Sequence, residues 1–195
     1  MIRKWAVGGL AAFIAAAAFA ALSAASAFAA DIGGVKLADK VSVGGQELVL
    51  NGGAVRTKAI FKVYVGSLYL PAKASDLAGV LAKAPRRIQM NVLRDLSADQ
   101  LLDALNDGLQ DNSSAAELAA VKAQSDQLAS IMKSFGEVKE GNVVTLDYVD
   151  GATVITLNGA AKGTIPGEPF NRALTKVWLG DKPAQADLKK AMLGG

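Results

Sequence analysis

Three side chains able to handle an anion or a carbonyl oxygen stand close together in the chain: Arg56, Tyr64 and Tyr69. Arg56 follows the run Asn51-Gly52-Gly53-Ala54 and enters an apolar, aromatic-bearing strand pair. A guanidinium pointing into such surroundings needs an anionic partner, because it keeps its charge while losing its hydration. A ligand carboxylate, phenolate or enolate can fill that role, as can a structural acid; an arginine on the solvent face of its strand needs neither. Tyrosine hydroxyls can donate to the same anion, although packing alone also accounts for them. Tyr64 and Tyr69 are five positions apart, so a regular strand sends them to opposite faces, and a bulge at Gly66 would break that relation.

The residues that are missing narrow the chemistry further. There is no Cys and no His, which excludes disulfide stapling, thiolate catalysis, Cys-ligated zinc or iron-sulfur clusters, an imidazole-based triad and the usual imidazole metal sites. An all-oxygen cation site would call for an Asp-rich loop with calcium-binding spacing, and no such loop occurs. Lys and Arg number 21 against 18 Asp and Glu; without Arg3 and Lys4, which belong to an N-terminal segment expected to be removed, the balance is 19 to 18. That near-neutrality argues against a nucleic-acid binder. With 51% hydrophobic residues in 195, the chain has the means for one domain with a real core.

The N-terminal segment opens with the basic Met1-Ile2-Arg3-Lys4, continues through an Ala-rich apolar run from Trp5 to about Ala25, and ends Ser26-Ala27-Phe28-Ala29-Ala30-Asp31. Small residues at Ala27 and Ala29 fit cleavage after Ala29 or one residue later. The expected division is a signal peptide over residues 1–29 and a domain over 30–195, exported from the cytoplasm. A retained anchor is the competing reading, since the run is long enough to span a bilayer, but its alanines make it weakly lipophilic. Membrane contact is expected only through this segment, before cleavage.

Within the domain, Lys40 to Leu50 reads as a hairpin about Gly44-Gly45, and Asn51 to Ala54 as a second turn. Val55 to Tyr69 is strand-like, with a bulge or bend expected at Gly66-Ser67 and an end at Pro71. Leu77 to Ala84 suggests a helical turn, and Arg86 to Leu93 a strand with Ile88, Met90 and Val92 on one face. Ser97 with Gln100, and Ser114 with Glu117, are capping-box pairs that open two amphipathic helices, the second carrying its apolar face on to Phe135. Asp150-Gly151 joins two strands, Asn158-Gly159 is a further turn, and helices follow over Phe170 to Leu179, with Leu174, Val177 and Trp178 inward, and over Ala184 to Leu193. No repeat or linker divides the chain. The expected class is α+β, an antiparallel sheet with helices grouped on one side.

The stretch from Gly45 through Leu50-Asn51-Gly52-Gly53-Ala54-Val55-Arg56, then Phe61-Lys62-Val63-Tyr64-Val65-Gly66-Ser67-Leu68-Tyr69-Leu70 and the late Val177-Trp178-Leu179-Gly180, resembles the chalcone isomerase-like family, in its bacterial secreted branch. The resemblance covers about Gly34 to Gly194. It implies an open-faced β-sandwich, a large antiparallel sheet covered by a helical layer with a ligand cleft between, and a periplasmic location for the exported domain. It implies no cofactor and no metal. The family includes isomerases that close a chalcone to a flavanone, fatty-acid binders and members without catalysis.

By position, Arg56 matches the family's functional arginine, and tyrosine at Tyr64 resembles the fatty-acid-binding branch. The isomerases' catalytic tyrosine falls at Leu101 and their substrate-contacting asparagine at Gly108, while Asn171 lies near their late hydroxyl residue. An aliphatic side chain can neither donate nor relay a hydrogen bond to a carbonyl. The preferred reading is therefore a binder of a small amphipathic carboxylate such as a fatty acid, contacted by Arg56, Tyr64, Tyr69 and Asn171, with the tail between helices and sheet. The alternatives are an intramolecular lyase or isomerase acting on an enone, with Arg56 and Tyr64 as its catalytic residues, and an envelope structural or interaction module with no small ligand.

Overall fold

In a computed structural model, residues 28–195 are described; the expected leader, apart from its last two residues, lies outside them. The chain runs through β1 (Phe28–Ile32), β2 (Val35–Ala38), β3 (Lys40–Val43), β4 (Gln46–Lys58), β5 (Phe61–Leu70), α1 (Leu77–Leu81) and β6 (Arg86–Val92). It continues through β7 (Leu96–Ser97), α2 (Ala98–Asn112), α3 (Ala115–Ala120), α4 (Lys122–Lys133), β8 (Glu137–Val138), β9 (Val143–Val149), β10 (Ala152–Leu157), β11 (Ala160–Pro166), α5 (Glu168–Leu179) and α6 (Ala186–Met192). Seven strands form one antiparallel sheet in the order β11-β10-β9-β6-β5-β4-β3. The result is the expected α+β class, a curled open sheet covered by helices.

Local chemistry explains most element ends. Gly44 and Gly45 both have positive φ, at 56° and 80°, and close the two-residue turn between Val43 and Gln46. Asp150-Gly151 and Asn158-Gly159 do the same for the β9–β10 and β10–β11 hairpins. Ser97 accepts from the Gln100 amide while the Gln100 side chain accepts from the Ser97 amide, a closed capping box at the start of α2. Ser114 and Glu117 repeat it for α3. The second amphipathic segment is two helices instead of one, breaking at Val121, whose side chain is buried along with Leu128 and Met132 of α4.

Two sequence expectations are corrected. Residues 51–54 are not a turn: β4 runs through them to Lys58, and only the pairing register slips there, Leu50 opposing Tyr69 and Gly52 opposing Leu68, with Asn51 left over as a bulge. Gly52 serves close approach, since any Cβ would run into the Ala191 carbonyl oxygen of α6. Nor does Gly66 bend β5, which pairs continuously with β6 from Tyr64 to Tyr69. The reversal lies instead at Ala59-Ile60, where Ala59 takes a φ of 54°. The β1–β2 hairpin has no counterpart in the sequence reading, which left the residues just after the leader unassigned.

Each face of the sheet has its own core. Leu68, Met90, Leu146 and Ile155 face Leu105, Leu128, Leu174 and Trp178 of the helices in the larger cluster. On the other face Leu37, Val43, Leu48, Leu50, Val65 and Tyr69 form a smaller cluster closed by Ile32 and Val35 of the β1–β2 hairpin. Among the described residues, every member of both clusters lies between Ala30 and Leu193.

The bulge at Asn51 is tied down on both sides. Its Nδ2 donates to the carbonyls of Ala74 at 2.9 Å and Met192 at 2.6 Å, and its Oδ1 accepts from the Ala74 amide at 2.8 Å. One buried side chain thus joins β4, the segment before α1 and the end of α6. Asn51→Ala should lower stability by about 2–4 kcal/mol, because buried peptide groups lose their partners; a urea midpoint within error of wild type would refute that role.

Candidate functional site

The pairing of β4 with β5 places Arg56 directly opposite Tyr64. Beyond this pair the register slips again, Thr57 opposing Lys62, so that Val63 is an extra residue on β5. Trp178, on the inward stripe of α5, donates its Nε1 hydrogen to the Tyr64 hydroxyl at 2.8 Å. The Tyr64 hydroxyl therefore has its acceptor role filled, while its own proton has no acceptor among the described residues. The Arg56 guanidinium carbon lies 5.8 Å from the centre of the Tyr64 ring, and the Arg56 side chain makes no hydrogen bond or salt bridge among the described residues.

Burial pushes the Tyr64 phenol above its ordinary pKa, with the Arg56 charge and the Trp178 N–H pulling the other way. It stays protonated at neutral pH and keeps a hydrogen to give. A half-buried guanidinium and an uncommitted phenolic O–H thus stand side by side, an arrangement suited to one anionic oxygen group.

Both residues line a cavity of about 400 Å³ between the β4–β5 hairpin and the first turns of α2, whose walls include Phe61, Val63, Leu96, Leu101 and Ala104, with Lys58 and Arg94 at its edge. That volume lies within the range of small-molecule sites. Inward of Tyr64 the space shrinks to about 20 Å³ among Met90, Leu101, Leu105, Val177 and Trp178, about enough for one water. The free room between helix and sheet therefore lies toward the hairpin tip, because these side chains fill the interior. A groove of about 520 Å³ beside α6, lined by Asp181, Lys189 and Lys190, shares no residue with this site.

The remaining sequence candidates stand elsewhere. Tyr69 projects from the opposite face of β5 into the smaller core, fully buried, with its hydroxyl unpartnered and its pKa raised by burial. Asn171 is buried in α5, where Oδ1 accepts from Arg86 Nε at 3.0 Å and from Nη2 at 2.5 Å, and Nδ2 donates to Thr153 Oγ1 at 2.9 Å. Arg86 is 3% exposed. Its guanidinium also donates to the carbonyls of Leu81 and Lys83 and lies 4.2 Å from the Tyr148 ring centre. Burial pulls its pKa down to about 10.

The sequence reading missed Lys58, Arg94 and Gln100 as cavity residues. Lys58-Ala59-Ile60-Phe61-Lys62, an apolar step between lysines with no turn-forming residue, was the available signal. Gly108 also acquires a reason: a Cβ there would lie 2.6 Å from Val177 Cγ1, so α2 and α5 meet at that point without room for a side chain.

Residues 29–194 match the family model described as chalcone isomerase-like. The chain belongs to that family. Among solved structures, the crystal structure of a fatty-acid binding protein from Arabidopsis thaliana aligns with a TM-score of 0.63, at 11% sequence identity, over 82% of this chain and 92% of that one. At that identity the likeness speaks for the chalcone isomerase-like fold. A search of curated proteins finds no match.

The contact at Gly108 makes the asparagine implied by the resemblance incompatible with the present helix spacing. Gly108→Asn should destabilise the fold by about 1–3 kcal/mol through overpacking, read as a lower urea midpoint; a midpoint equal to wild type would show that α2 and α5 can part freely.

Proposed function

We propose that this chain is a periplasmic binder of a small amphipathic carboxylate, such as a fatty acid, and lacks chalcone isomerase activity. The carrying observation is the unpaired Arg56 guanidinium on a cavity of about 400 Å³ that Tyr64 also lines, with the Tyr64 hydroxyl keeping a hydrogen to give. The carboxylate sits against Arg56 and receives a second hydrogen bond from Tyr64. The tail runs past Leu101, Val63 and Ala104 toward Phe61. Neither Tyr69 nor Asn171 takes part in this arrangement, since one lies on the other face and the other is engaged by Arg86 and Thr153.

The support for binding over enone cyclisation is the wall facing Arg56, where Leu101 stands in the position implied for the catalytic tyrosine and offers no hydrogen. A purely structural role is disfavoured by the cavity itself, since a filled cleft would leave no such space beside Arg56.

The protein from Ala30, extracted without detergent, should carry about one fatty acid per chain in native mass spectrometry. Arg56→Ala should weaken its binding roughly tenfold to hundredfold, the worth of about 1.5–3 kcal/mol for a hydrogen bond to a charged group. A lipid-free wild type that turns over an enone faster than buffer, or equal affinity in Arg56→Ala, overturns the reading. Export is checked separately: expressed with its leader, the protein recovered from the periplasm should have the intact mass of residues 30–195, and a periplasmic fraction without it, or a full-length mass, contradicts the proposed processing.

A further inference from the structure

Ile60 and Phe61, 86% and 52% exposed, are the two exposed large hydrophobic side chains among the described residues. Both stand at the tip of the β4–β5 hairpin, on a turn of two residues closed by the pair Lys58 and Phe61. Exposed cations surround them. Lys58 and Lys62 flank the tip in sequence, and the Arg94 guanidinium lies 4.4 Å from the centre of the Phe61 ring. None of Lys58, Lys62 and Arg94 forms a salt bridge among the described residues. The nearby acids Asp95 and Glu137 share Lys139, at 3.2 and 2.5 Å, and neither forms a salt bridge with a cation of the tip. A domain with nearly balanced charge thus gathers cations without salt-bridge partners about the exposed apolar tip of this hairpin.

We propose that the β4–β5 hairpin tip docks on an anionic lipid bilayer, Ile60 and Phe61 entering the interface and Lys58, Lys62 and Arg94 meeting the headgroups. Two side chains on a sharp turn cannot supply the roughly 800 Å² per partner of a stable protein interface. A fluid headgroup region needs no matching groove; it takes an apolar tip with a basic collar. No helix among the described residues is long and apolar enough to cross a membrane. Docking by the tip is a second membrane contact, apart from the N-terminal segment. Because Phe61 and Lys58 also wall the cavity, docking turns the cavity mouth toward the lipid.

Ile60 and Lys62 do not line the cavity, so substituting them tests docking apart from ligand capture. The protein from Ala30 should co-sediment with vesicles of equimolar phosphatidylcholine and phosphatidylglycerol, and not with phosphatidylcholine alone. Ile60→Ser should weaken the partition about tenfold, the loss of one large apolar side chain. Lys62→Gln should weaken it about fivefold, an effect that vanishes in high salt. In Ile60→Trp, tryptophan emission should shift to the blue when anionic vesicles are added. Absence of co-sedimentation, or co-sedimentation unchanged in both Ile60→Ser and Lys62→Gln, overturns the proposal. So does a dimer in vesicle-free solution that Ile60→Ser dissolves, since the tip would then serve a second copy of the chain. Each of these outcomes leaves Arg56-dependent carboxylate binding standing or falling on its own measurement.

Discussion

Beyond its first two residues, strand β5 has no solvent face. From Val63 to Leu70 every residue is buried, so alternate side chains must satisfy two different cores, one under the helices and one under the β1–β2 hairpin. A slip of one residue would exchange the two sets and expose neither to water, so register has to be imposed from outside the strand. The neighbours impose it: continuous pairing with β6 on one side, and on the other a long β4 that accommodates its slips at Asn51 and beside Arg56. Tyr64 reaches Trp178 and the cavity because of this alternation. Tyr69 is denied to them by the same rule.

The two arginines, Arg56 and Arg86, show how burial sorts structural cations from available ones. Arg86 is nearly enclosed, and neutral groups surround it: the Asn171 carboxamide, two backbone carbonyls and the face of Tyr148. Its guanidinium makes four hydrogen bonds, and the burden of desolvation shows in its lowered pKa. Arg56 sits in less hostile surroundings, yet its neighbours offer it only an aromatic ring. An arginine whose hydrogens are spoken for positions helices; one whose hydrogens are idle beside an apolar cavity has affinity to spend on something else.

Much of the fold was legible because its turns and helix starts are local. Gly44-Gly45, Asp150-Gly151 and Asn158-Gly159 carry their own positive-φ chemistry, and the Ser97 and Ser114 boxes announce helices within four residues. Asn51-Gly52-Gly53 misled because its glycines answer to the approach of α6 and of β5, partners distant in sequence. The Ala59-Ile60 reversal was hidden for the opposite reason, having none of the residues that turns prefer. At the site, Leu101 follows from one helical stripe, whereas the pairing of Arg56 with Tyr64 depends on that hidden reversal. The separation of Asn171 and Tyr69 from them depends on helix placement and on which face of a strand a residue takes, neither of which a single segment reveals.

The seam between α2 and α5 also bears on descent. At Gly108 the helices are as close as a missing side chain allows, with Val177 filling the notch. A lineage that wished to place a polar group there would first have to shrink residue 177, and with it loosen the neighbour of Trp178 that supports the Tyr64 hydroxyl. Polarity at residue 108 would therefore enter at least strain through an ordered pair of changes, the first of which weakens the site it is meant to enrich. The tight seam works as a ratchet: it makes the apolar form of this cleft easy to keep and costly to leave, one substitution at a time.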